Sequence, residues 1–359
     1  MEVLIVVNNF NVGGLERVVI NLIKEMHINN IKPYVACLEG EGVLFKEIVP
    51  YVADTVVFDR RSGVDIKTIL KLRSYIKNNN ITAVHSHNLS PLVYAGLASK
   101  LFLRSVKHIY TEHNQVSRLS ERGLMKFRWY LKLATSIVTV SGALKDMFEK
   151  NLKIKNVNVI YNGIKRAEFE CEYSGKVRRE FGFGKDDYLL CLIGILKPQK
   201  GVPYLLQAMV LLEKYKNIKL LIAGDGVLMK ELTSFTEDNN LSNVVFAGYR
   251  KDLCEIYADT DLIVMSSIQE GLPMTLIEGL AAGKPMITTN VGGCSEVVVD
   301  GENGLVVDAK DPELLKEAIV KYYNDPPNAD SQKKRNIERF DQLFSVESMF
   351  TRYMKLYQL

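Results

Sequence analysis

Two glutamates, Glu270 and Glu278, flank a short polar loop and the start of a predicted helix. The apolar run at 262–265 predicts a strand before this loop, and Pro273 suits the first helical position because its missing N–H costs nothing there. A helix start has backbone N–H groups without intrahelical partners, and these attract anions. Two carboxylates around such a site suit a ligand with hydroxyl groups at both ends and phosphate in the middle. A nucleotide sugar has this layout, although either glutamate alone is more typical of a structural role at a helix dipole.

The length and composition limit the class of protein. A chain of 359 residues suits two domains, and 47% apolar with 25% charged residues is typical of a soluble globular protein. No segment reaches the roughly 18 to 20 uncharged apolar residues of a membrane span, and the first residues predict a strand instead of a signal peptide. The five cysteines show no disulfide or metal spacing, and their odd number favours a reducing compartment. We therefore expect a cytoplasmic protein.

The net charge of +4 hides an asymmetry between the two halves of the chain. Residues 1–165 carry 23 Lys and Arg against 13 Asp and Glu, a balance of +10, whereas the remainder has a balance of −6. Within the first half, residues 100–165 have 13 basic and 4 acidic side chains. A basic first half suggests that one domain meets an anionic surface.

Short β-branched runs alternate with amphipathic stretches along the chain. The first half has predicted strands at 2–7, 33–38, 54–58, 82–86, 106–111, 136–140 and 157–161. The second half has them at 188–194, 218–223, 243–247, 261–265 and 285–289. This alternation predicts an α/β protein in which helices cover both faces of parallel sheets, and two such series predict two Rossmann-like domains. We assign the domains to residues 1–165 and 187–340, with a polar linker over 166–186.

Ligands bind open α/β sheets at the carboxyl ends of the strands, so the residues that follow each strand are informative. Gly13 and Gly14 follow the first strand and can bring backbone N–H groups close to a ligand. They do not form a GxGxxG fingerprint, which disfavours a dehydrogenase. His113 also follows a strand, where a structural hydrogen bond is an equal alternative. Lys200, beside a glycine, can meet a phosphate as a mobile charge.

Two patterns resemble metal sites but favour a structural role. His85 and His87 are two residues apart in a strand, and the sequence supplies no further ligands nearby. Asp259 and Asp261 form a DxD pattern, but they precede a strand, so we interpret them as part of a helix-to-strand turn. We expect neither a metal nor another cofactor.

The ordered set of motifs resembles that of the retaining glycosyltransferases of family four, whose members have the GT-B fold. The resemblance spans essentially the whole chain. It is carried by Gly13-Gly14-Leu15-Glu16-Arg17, Thr111-Glu112-His113-Asn114, Asn162-Gly163-Ile164, Lys200-Gly201, Ala223-Gly224-Asp225-Gly226, the Glu270 to Glu278 pair, Val291-Gly292-Gly293 to Glu296 and Asp300-Gly301-Glu302-Asn303-Gly304. It implies an acceptor-binding N-terminal domain and a donor-binding C-terminal domain that face a central cleft. The last residues, about 341–359, would form a helix that returns to the N-terminal domain.

The resemblance also implies roles for individual residues. Glu270 would lie at the transferred sugar, Lys200 would neutralise the donor diphosphate, and Glu278 would accept hydrogen bonds from the ribose hydroxyls. His113 would lie at the sugar on the N-domain side, so the implied catalytic residues are Glu270, His113 and Lys200. The other implied donor-binding residues are Gly13, Gly14, Gly224, Asp225, Gly271, Leu272, Pro273, Met274, Thr275 and Leu276. Ile195 stands where family members usually carry arginine, which removes one of two cations expected at the diphosphate.

A basic segment in the first half predicts where the acceptor binds. Residues 118–133 combine basic and apolar side chains and include the only tryptophan of the chain. The residues expected to meet the acceptor or a membrane are Arg118, Arg122, Lys126, Arg128, Trp129 and Lys132. Such a helix suits an anionic membrane interface, and an ordinary surface helix with its apolar face in the core is the alternative. Docking there would make a polyprenyl-diphosphate-linked glycan the natural acceptor.

Together these features predict a metal-independent, retaining hexosyl- or N-acetylhexosaminyltransferase. We expect it to use a UDP-sugar and a glycan or lipid-linked acceptor in cell-surface polysaccharide synthesis, at the inner face of the plasma membrane. Two alternatives share this fold: a nucleotide-sugar 2-epimerase, and a catalytically silent partner subunit, which Ile195 favours. The basic charge is not accompanied by a nucleic-acid recognition motif, so we expect no nucleic-acid partner.

Overall fold

The computed structural model describes residues 1–60, 63–100, 106–113 and 120–358. The chain divides into two compact units, of which the first combines Met1–Ile164 with Leu343–Leu359 and the second is Lys165–Gln342. Each unit has its own parallel sheet and its own core, as the alternation of strands and helices predicts.

The first unit is built on a seven-stranded sheet. Its strands are β1 (Val3–Val7), β2 (Tyr34–Cys37), β3 (Asp54–Val57), β4 (Ala83–His87), β5 (Lys107–Glu112), β6 (Ser136–Thr139) and β7 (Val157–Val159). They lie side by side in the order β3-β2-β1-β4-β5-β6-β7, and the strand pairs of this sheet are parallel. The helices before the unit boundary are α1 (Gly14–Ile28), α2 (Ile66–Asn78), α3 (Leu89–Lys100), α4 (Glu121–Leu131) and α5 (Gly142–Asn151). Strands β1 and β4 are buried throughout, because helices cover both faces of the sheet.

The second unit is built on a six-stranded sheet. Its strands are β8 (Tyr188–Ile193), β9 (Ile218–Ala223), β10 (Val244–Gly248), β11 (Leu262–Met265), β12 (Met286–Thr289) and β13 (Leu305–Val307). Their order is β10-β9-β8-β11-β12-β13, again with parallel pairs. The helices are α6 (Lys176–Glu180), α7 (Val202–Leu211), α8 (Met229–Asp238), α9 (Leu253–Asp259), α10 (Met274–Ala281), α11 (Cys294–Val297), α12 (Pro312–Asn324) and α13 (Ala329–Leu343).

The last helix, α14 (Val346–Gln358), belongs to the first unit, although the second unit precedes it along the chain. It packs on α1, and two of its buried tyrosines reach the sheet. Tyr357 bonds to His85 of β4 and Tyr353 bonds to Thr111 of β5. The predicted return of the final helix to the N-terminal domain is therefore confirmed.

Residues 166–186, which the sequence predicts as a linker, are packed into the second unit. The side chain of Asp259, at the end of α9, accepts hydrogen bonds from the backbone N–H groups of Ser174, Gly175 and Val177 at 3.1, 2.8 and 2.8 Å. The sequence shows no disulfide spacing, but in the structure Cys171 forms a disulfide with Cys254 of α9. Spacing along the chain did not indicate this pair, since 83 residues separate the two cysteines and only the fold brings them together.

Two smaller findings concern helices. Pro273 is the residue before α10 and not its first residue, because the helix begins at Met274. Among the described helices, none combines the length and the apolar character that crossing a membrane requires.

Candidate active site

The strand order of each sheet shows where a ligand site is expected. The order of the parallel strands changes direction between β1 and β4 in the first unit and between β8 and β11 in the second. Ligands bind α/β sheets outside the carboxyl ends of the strands at such points. In the second unit these ends carry the segments 194–201 and 266–273, which contain Lys200 and Glu270.

Lys200 and Glu270 form a partly buried ion pair. Lys200 Nζ donates to Glu270 Oε1 at 2.7 Å, and the two side chains are 16% and 12% exposed. Ser267 Oγ donates to the same carboxylate oxygen at 2.6 Å. Sequence reasoning identified the lysine and the glutamate but missed Ser267, whose signal is a hydroxyl two residues after a buried strand. A hydrogen-bonded cation and anion at one strand edge are suited to a ligand that carries both phosphate and hydroxyl groups.

Close backbone contacts hold Lys200 at this edge. Gly201 has φ +60°, and a Cβ there would clash with the carbonyl oxygen of Ser266. The backbone N–H of Ile268 donates to the carbonyl of Gln199 at 2.8 Å. The loops after β8 and β11 are thus joined through their backbones, and glycine is the residue type that the contact requires.

A second glycine contact supports the loop after β9. A Cβ on Gly224 would clash with the carbonyl oxygen of Gly194, so the loops after β8 and β9 also lie close together. Asp225, predicted to bind the donor, accepts a hydrogen bond from the backbone N–H of Gly226 at 2.6 Å. In this structure Gly224 and Asp225 therefore shape the loop, and their contact with a donor stays a prediction.

Glu278 lies in the second turn of α10 and is held by a tyrosine that sequence reasoning missed. The hydroxyl of Tyr257 donates to Glu278 Oε2 at 2.7 Å and also lies 3.3 Å from the carbonyl oxygen of Thr275. Burial raises the pKa of Glu278, and the hydrogen bond from Tyr257 opposes this increase. The ring of Phe169, from the predicted linker, packs edge-on against Tyr257 with centroids 5.9 Å apart.

The remaining predicted donor-binding residues form the loop before α10 and its first turn. They are Gly271, Leu272, Pro273, Met274, Thr275 and Leu276. Two hydrogen bonds fix this segment: Gly293 N–H donates to the carbonyl of Gly271 at 2.8 Å, and Thr275 Oγ1 donates to the carbonyl of Ile193 at 3.2 Å. Ile195, in the position of the usual family arginine, is 58% exposed.

The first unit carries its own set of predicted site residues. Gly13 precedes α1 and Gly14 begins it, and the carboxylate of Glu16 lies so close that a Cβ on Gly13 would clash with it. His113 follows β5, and its backbone N–H donates to Asn88 Oδ1 at 3.3 Å. Burial lowers the pKa of His113 to about 3, so the ring is neutral at physiological pH.

His113 also bonds to a second histidine that the sequence did not identify as a partner. Its Nε2 lies 3.0 Å from Nδ1 of His87. The other member of the suspected metal pattern, His85, uses both ring nitrogens in bonds to Tyr357 and Thr111. The two neighbouring histidines of β4 therefore have structural hydrogen-bond partners, and within the described residues no group of three possible metal ligands was found.

The predicted acceptor segment is only partly described, since Arg118 lies outside the described residues. The rest is α4, where Phe127 and Leu131 are buried while Met125 and Trp129 are 66% and 54% exposed. Two apolar residues thus anchor the helix and two others face solvent. The basic residues of the predicted set on this helix and directly after it are Arg122, Lys126, Arg128 and Lys132.

The DxD pattern is the helix-to-strand turn that the sequence predicts. Asp259 ends α9, and Asp261 precedes β11 at the edge of the sheet opposite to Glu270. Arg178 Nη2 donates to Asp261 Oδ2 at 2.5 Å, and the backbone N–H of Leu189 donates to the same oxygen at 2.7 Å. These aspartates therefore attach residues 174–189 to the sheet.

Comparisons with known proteins agree with this architecture. Residues 12–168 match the family described as Glycosyltransferase Family 4, and residues 174–339 match Glycosyl transferases group 1. An uncharacterized glycosyltransferase of Methanocaldococcus jannaschii is 31% identical over 97% of this chain and 95% of its own. The Escherichia coli UDP-Gal:alpha-D-GlcNAc-diphosphoundecaprenol alpha-1,3-galactosyltransferase is 24% identical over 73% of this chain and 71% of its own.

A solved structure shows the same fold. The crystal structure of Anabaena HepE in complex with UDP superimposes with a TM-score of 0.89 at 20% identity and covers 100% of both chains. The matches to the two families together span nearly all of the chain, and the sheets of the two units are those of the GT-B fold. The chain therefore belongs to glycosyltransferase family 4 and has the GT-B fold.

Proposed function

We propose that this protein transfers a sugar from a UDP-sugar to a glycan or lipid-linked acceptor, with retention of configuration and without a metal ion, in cell-surface polysaccharide synthesis. The observation that carries the proposal is the Lys200–Glu270 pair at the carboxyl edge of the second unit. Relatives support the donor and acceptor classes, since one acts on UDP-Gal and a diphosphoundecaprenol-linked sugar and a structural neighbour binds UDP.

The charges of the pair suit the two charges that develop in the reaction. Lys200 stabilises the diphosphate as it gains negative charge, and the N-terminus of α10 adds the dipole of its backbone N–H groups. Glu270 stabilises and positions the sugar, which becomes positively charged like an oxocarbenium ion. Glu278 accepts hydrogen bonds from the ribose hydroxyls, in a half-buried position where such bonds are strong.

Retention requires attack from the face that the leaving group departs. The acceptor hydroxyl forms a bond to the anomeric carbon while the bond from that carbon to the phosphate oxygen breaks. The bonding electron pair leaves with UDP, and the hydroxyl proton passes to the departing phosphate oxygen. Glu270 forms no covalent bond to the sugar in this scheme, so Glu270→Gln weakens transition-state stabilisation without leaving a trapped intermediate.

The proposal is tested first by UDP binding, measured calorimetrically. Lys200→Ala is expected to weaken binding about 10- to 100-fold, the effect of one hydrogen bond to a charged group. Lys216→Ala is the matched control, because Lys216 is 76% exposed and its ion-pair partner within the described residues is Glu213, also on the surface. Equal UDP affinity in the wild type and Lys200→Ala would contradict a diphosphate site at Lys200.

Catalysis is tested with a panel of UDP-sugars, with donor consumption and products both recorded. Glu270→Gln and Lys200→Ala are expected to lose most turnover, and near-wild-type turnover in both would contradict the mechanism. A free epimer as product would indicate a 2-epimerase, and no donor consumption would indicate a silent partner subunit. Unchanged turnover in excess EDTA is expected if Lys200 carries the diphosphate charge without a metal.

The cytoplasmic and membrane-peripheral location is also part of the proposal. UDP-sugars are made in the cytoplasm, and the exposed Met125 and Trp129 on basic α4 support docking at an anionic surface. The Cys171–Cys254 disulfide is unusual for a reducing compartment, although intracellular proteins of hyperthermophiles often have such bonds. Fractionation of the source cells, followed by detection of the protein in membrane and soluble fractions, tests the location.

A further inference from the structure

A disulfide attaches a surface segment of the second unit beside the proposed ribose-binding carboxylate. The segment is the short 3-10 helix Arg166–Phe169 with the residues that follow it, and this helix packs against both α9 and α10. Two contacts join its middle to α9: the ring of Phe169 packs edge-on against Tyr257, and Cys171 is bonded to Cys254. Cys171 follows Phe169 by two residues and Cys254 precedes Tyr257 by three, so the bond and the ring contact connect the same two stretches of chain.

Tyr257 connects the ring of Phe169 to the carboxylate of Glu278. Its hydroxyl donates to Glu278 Oε2 at 2.7 Å, and its side chain is fully buried. Burial raises the pKa of Glu278, and the negative charge of Glu168, the neighbour of Phe169, raises it further. The segment therefore influences Glu278 in two ways, through Tyr257 and through its own charge.

The middle of the segment lies on the surface. Residues 167–174 are exposed apart from Phe169, which is half-buried. A segment that buries so little apolar surface opens readily by local unfolding. The covalent bond two residues from Phe169 limits how far the segment can move, and so keeps the ring near its contact. When the ring leaves, water reaches Tyr257 and competes for its hydrogen bond to Glu278.

The disulfide is accessible to a thiol reductant. Cys171 is exposed and lines an open cleft of about 740 Å3, which admits a small dithiol, whereas Cys254 is half-buried. A dithiol attacks the sulfur of Cys171 and releases that of Cys254, and its second thiol then breaks the mixed disulfide. Two electrons and two protons pass to the protein, which gains two thiols, and the reductant becomes a cyclic disulfide.

We propose that the Cys171–Cys254 bond is a redox-sensitive positioning device: it holds Phe169 against Tyr257, and its reduction weakens UDP binding. The inference rests on the proposed function, in which Glu278 accepts hydrogen bonds from the ribose of UDP. The oxidised protein has the oriented carboxylate and binds UDP more tightly. The reduced protein stays folded, because the hydrophobic core of the second unit does not include the two cysteines.

Calorimetric titrations of the full-length protein with UDP test the proposal. The oxidised and reduced forms are prepared without and with dithiothreitol and are identified, after denaturation, by three and five reactive thiols. We expect UDP affinity to be about 3- to 10-fold lower in the reduced form, since one orienting hydrogen bond is weakened. The double variant Cys171→Ser/Cys254→Ser should bind UDP like the reduced wild type and should not respond to dithiothreitol. Equal UDP affinity of the two redox forms would overturn the proposal.

Substitutions of Phe169 separate positioning from a purely structural role. Phe169→Leu removes the aromatic ring, so its oxidised form should already have the lower UDP affinity, and reduction should change that affinity little. Phe169→Tyr keeps the ring and should keep the full response to reduction. The same loss on reduction in Phe169→Leu as in the wild type would overturn the proposal. Wild-type UDP affinity in oxidised Phe169→Leu would also overturn it, and this result does not depend on how the reduced protein folds.

Backbone hydrogen exchange, followed by mass spectrometry, reports on the contact without a nucleotide. Reduction should speed up exchange in residues 166–173 and in α9, and unchanged exchange in both would contradict the proposed role of the bond. Oxidised wild type that binds no UDP would show that the proposed function fails. UDP binding that is the same in both redox forms would overturn the present inference and leave the proposed function standing.

Discussion

The hydroxyl of Tyr257 donates a hydrogen bond to Oε2 of Glu278 across 2.7 Å, and so joins α9 to the second turn of α10. Tyr257 is fully buried, with Phe169 packed edge-on against its ring. The carboxylate proposed to bind ribose is therefore oriented by a neighbour that does not itself belong to the family motif. Hydrogen bonds from surrounding residues commonly orient the polar side chains that bind a ligand.

Tyr257→Phe is expected to weaken UDP binding about 3- to 10-fold, since Glu278 loses one orienting hydrogen bond. The bond opposes the effect of burial on the pKa of Glu278, so its loss raises that pKa further. As the pH is lowered, UDP affinity should therefore begin to fall at a higher pH in Tyr257→Phe than in the wild type. Calorimetric titrations at several pH values measure both effects, and the comparison with wild type cancels the titration of UDP itself. Tyr215→Phe is the control, and identical pH curves for Tyr257→Phe and wild type would contradict the assignment.

The aspartate at the end of α9 should contribute strongly to the stability of the second unit. Asp259→Ala leaves three backbone N–H groups without their acceptor, and we expect a loss on the order of 3 kcal/mol in the free energy of unfolding. Urea unfolding followed by circular dichroism measures this loss. Lys176→Met removes only an exposed ion pair with Glu255, and it should leave the urea midpoint unchanged. An unchanged midpoint for Asp259→Ala would mean that the segment 174–177 is held by other contacts.

The Cys171–Cys254 bond predicts a specific thiol count. Denatured, unreduced protein should react with three equivalents of thiol reagent, from Cys37, Cys191 and Cys294, and reduced protein with five. Replacing both paired cysteines with serine should lower the free energy of unfolding by about 2 to 4 kcal/mol, because the bond restricts the unfolded chain. Five thiols before reduction would show that the bond does not form in solution.

The strands and the central part of the site were predictable from the sequence for the same physical reason. A strand that is covered on both faces is a short apolar, β-branched run, which the sequence shows directly. In parallel sheets the ligand-binding residues follow such strands, and this is why Lys200 and Glu270 could be identified. The three-residue strand β13 was not predicted, because Leu305–Val307 is too short to form a distinct run. Residues 166–186 lack periodicity, and tertiary contacts, among them those of Asp259 and the Cys171–Cys254 disulfide, bring them into the second unit.

The supporting partners could not be predicted, because their pairing depends on tertiary structure. Tyr257 precedes Glu278 by 21 residues on another helix, and His87 precedes His113 by 26 residues on another strand. A tyrosine in an apolar helix and a histidine in a strand are each typical of core packing. The sequence contains these side chains, but their distances arise only when α9 meets α10 and β4 pairs with β5.

Acid should destabilise the first unit through its buried histidines. Burial holds the pKa of His85 and His87 well below the ordinary value and lowers that of His113 to about 3. Below about pH 6.5 the histidines of the unfolded chain bind protons that those of the folded unit do not. The free energy of unfolding therefore keeps its full value above that pH and falls as the pH decreases, by about 1.4 kcal/mol per pH unit for each histidine. For His113 this loss extends to about pH 3.

Urea unfolding between pH 7.5 and 5, followed by fluorescence of Trp129, the only tryptophan, reports on the first unit. In His113→Gln the free energy of unfolding should depend less steeply on pH than in the wild type, by about 1.4 kcal/mol per pH unit. The reason is that one buried histidine fewer takes up a proton on unfolding. The same slope in wild type and His113→Gln would show that His113 is not kept neutral by the fold.

Helix α4 should bind anionic membranes through its exposed apolar pair. Met125 and Trp129 are one helical turn apart and are 66% and 54% exposed, while basic side chains on the same helix can meet lipid phosphates. We expect the double variant Met125→Ser/Trp129→Ser to bind vesicles of phosphatidylglycerol and phosphatidylcholine at least about tenfold more weakly than the wild type. Each of the two side chains contributes on the order of 1 kcal/mol when it enters the membrane interface.

Co-sedimentation with such vesicles measures this binding, and Ile28→Ala, which removes an exposed apolar side chain of α1, is the control. Binding should decrease with added salt, because attraction between basic side chains and anionic lipid is screened. Equal sedimentation of the double variant and the wild type would instead favour α4 as an ordinary surface helix that is anchored by the buried Phe127 and Leu131. In that case a glycan without a lipid anchor becomes the better acceptor to assay, because no part of α4 would bring the protein to lipid-linked sugars.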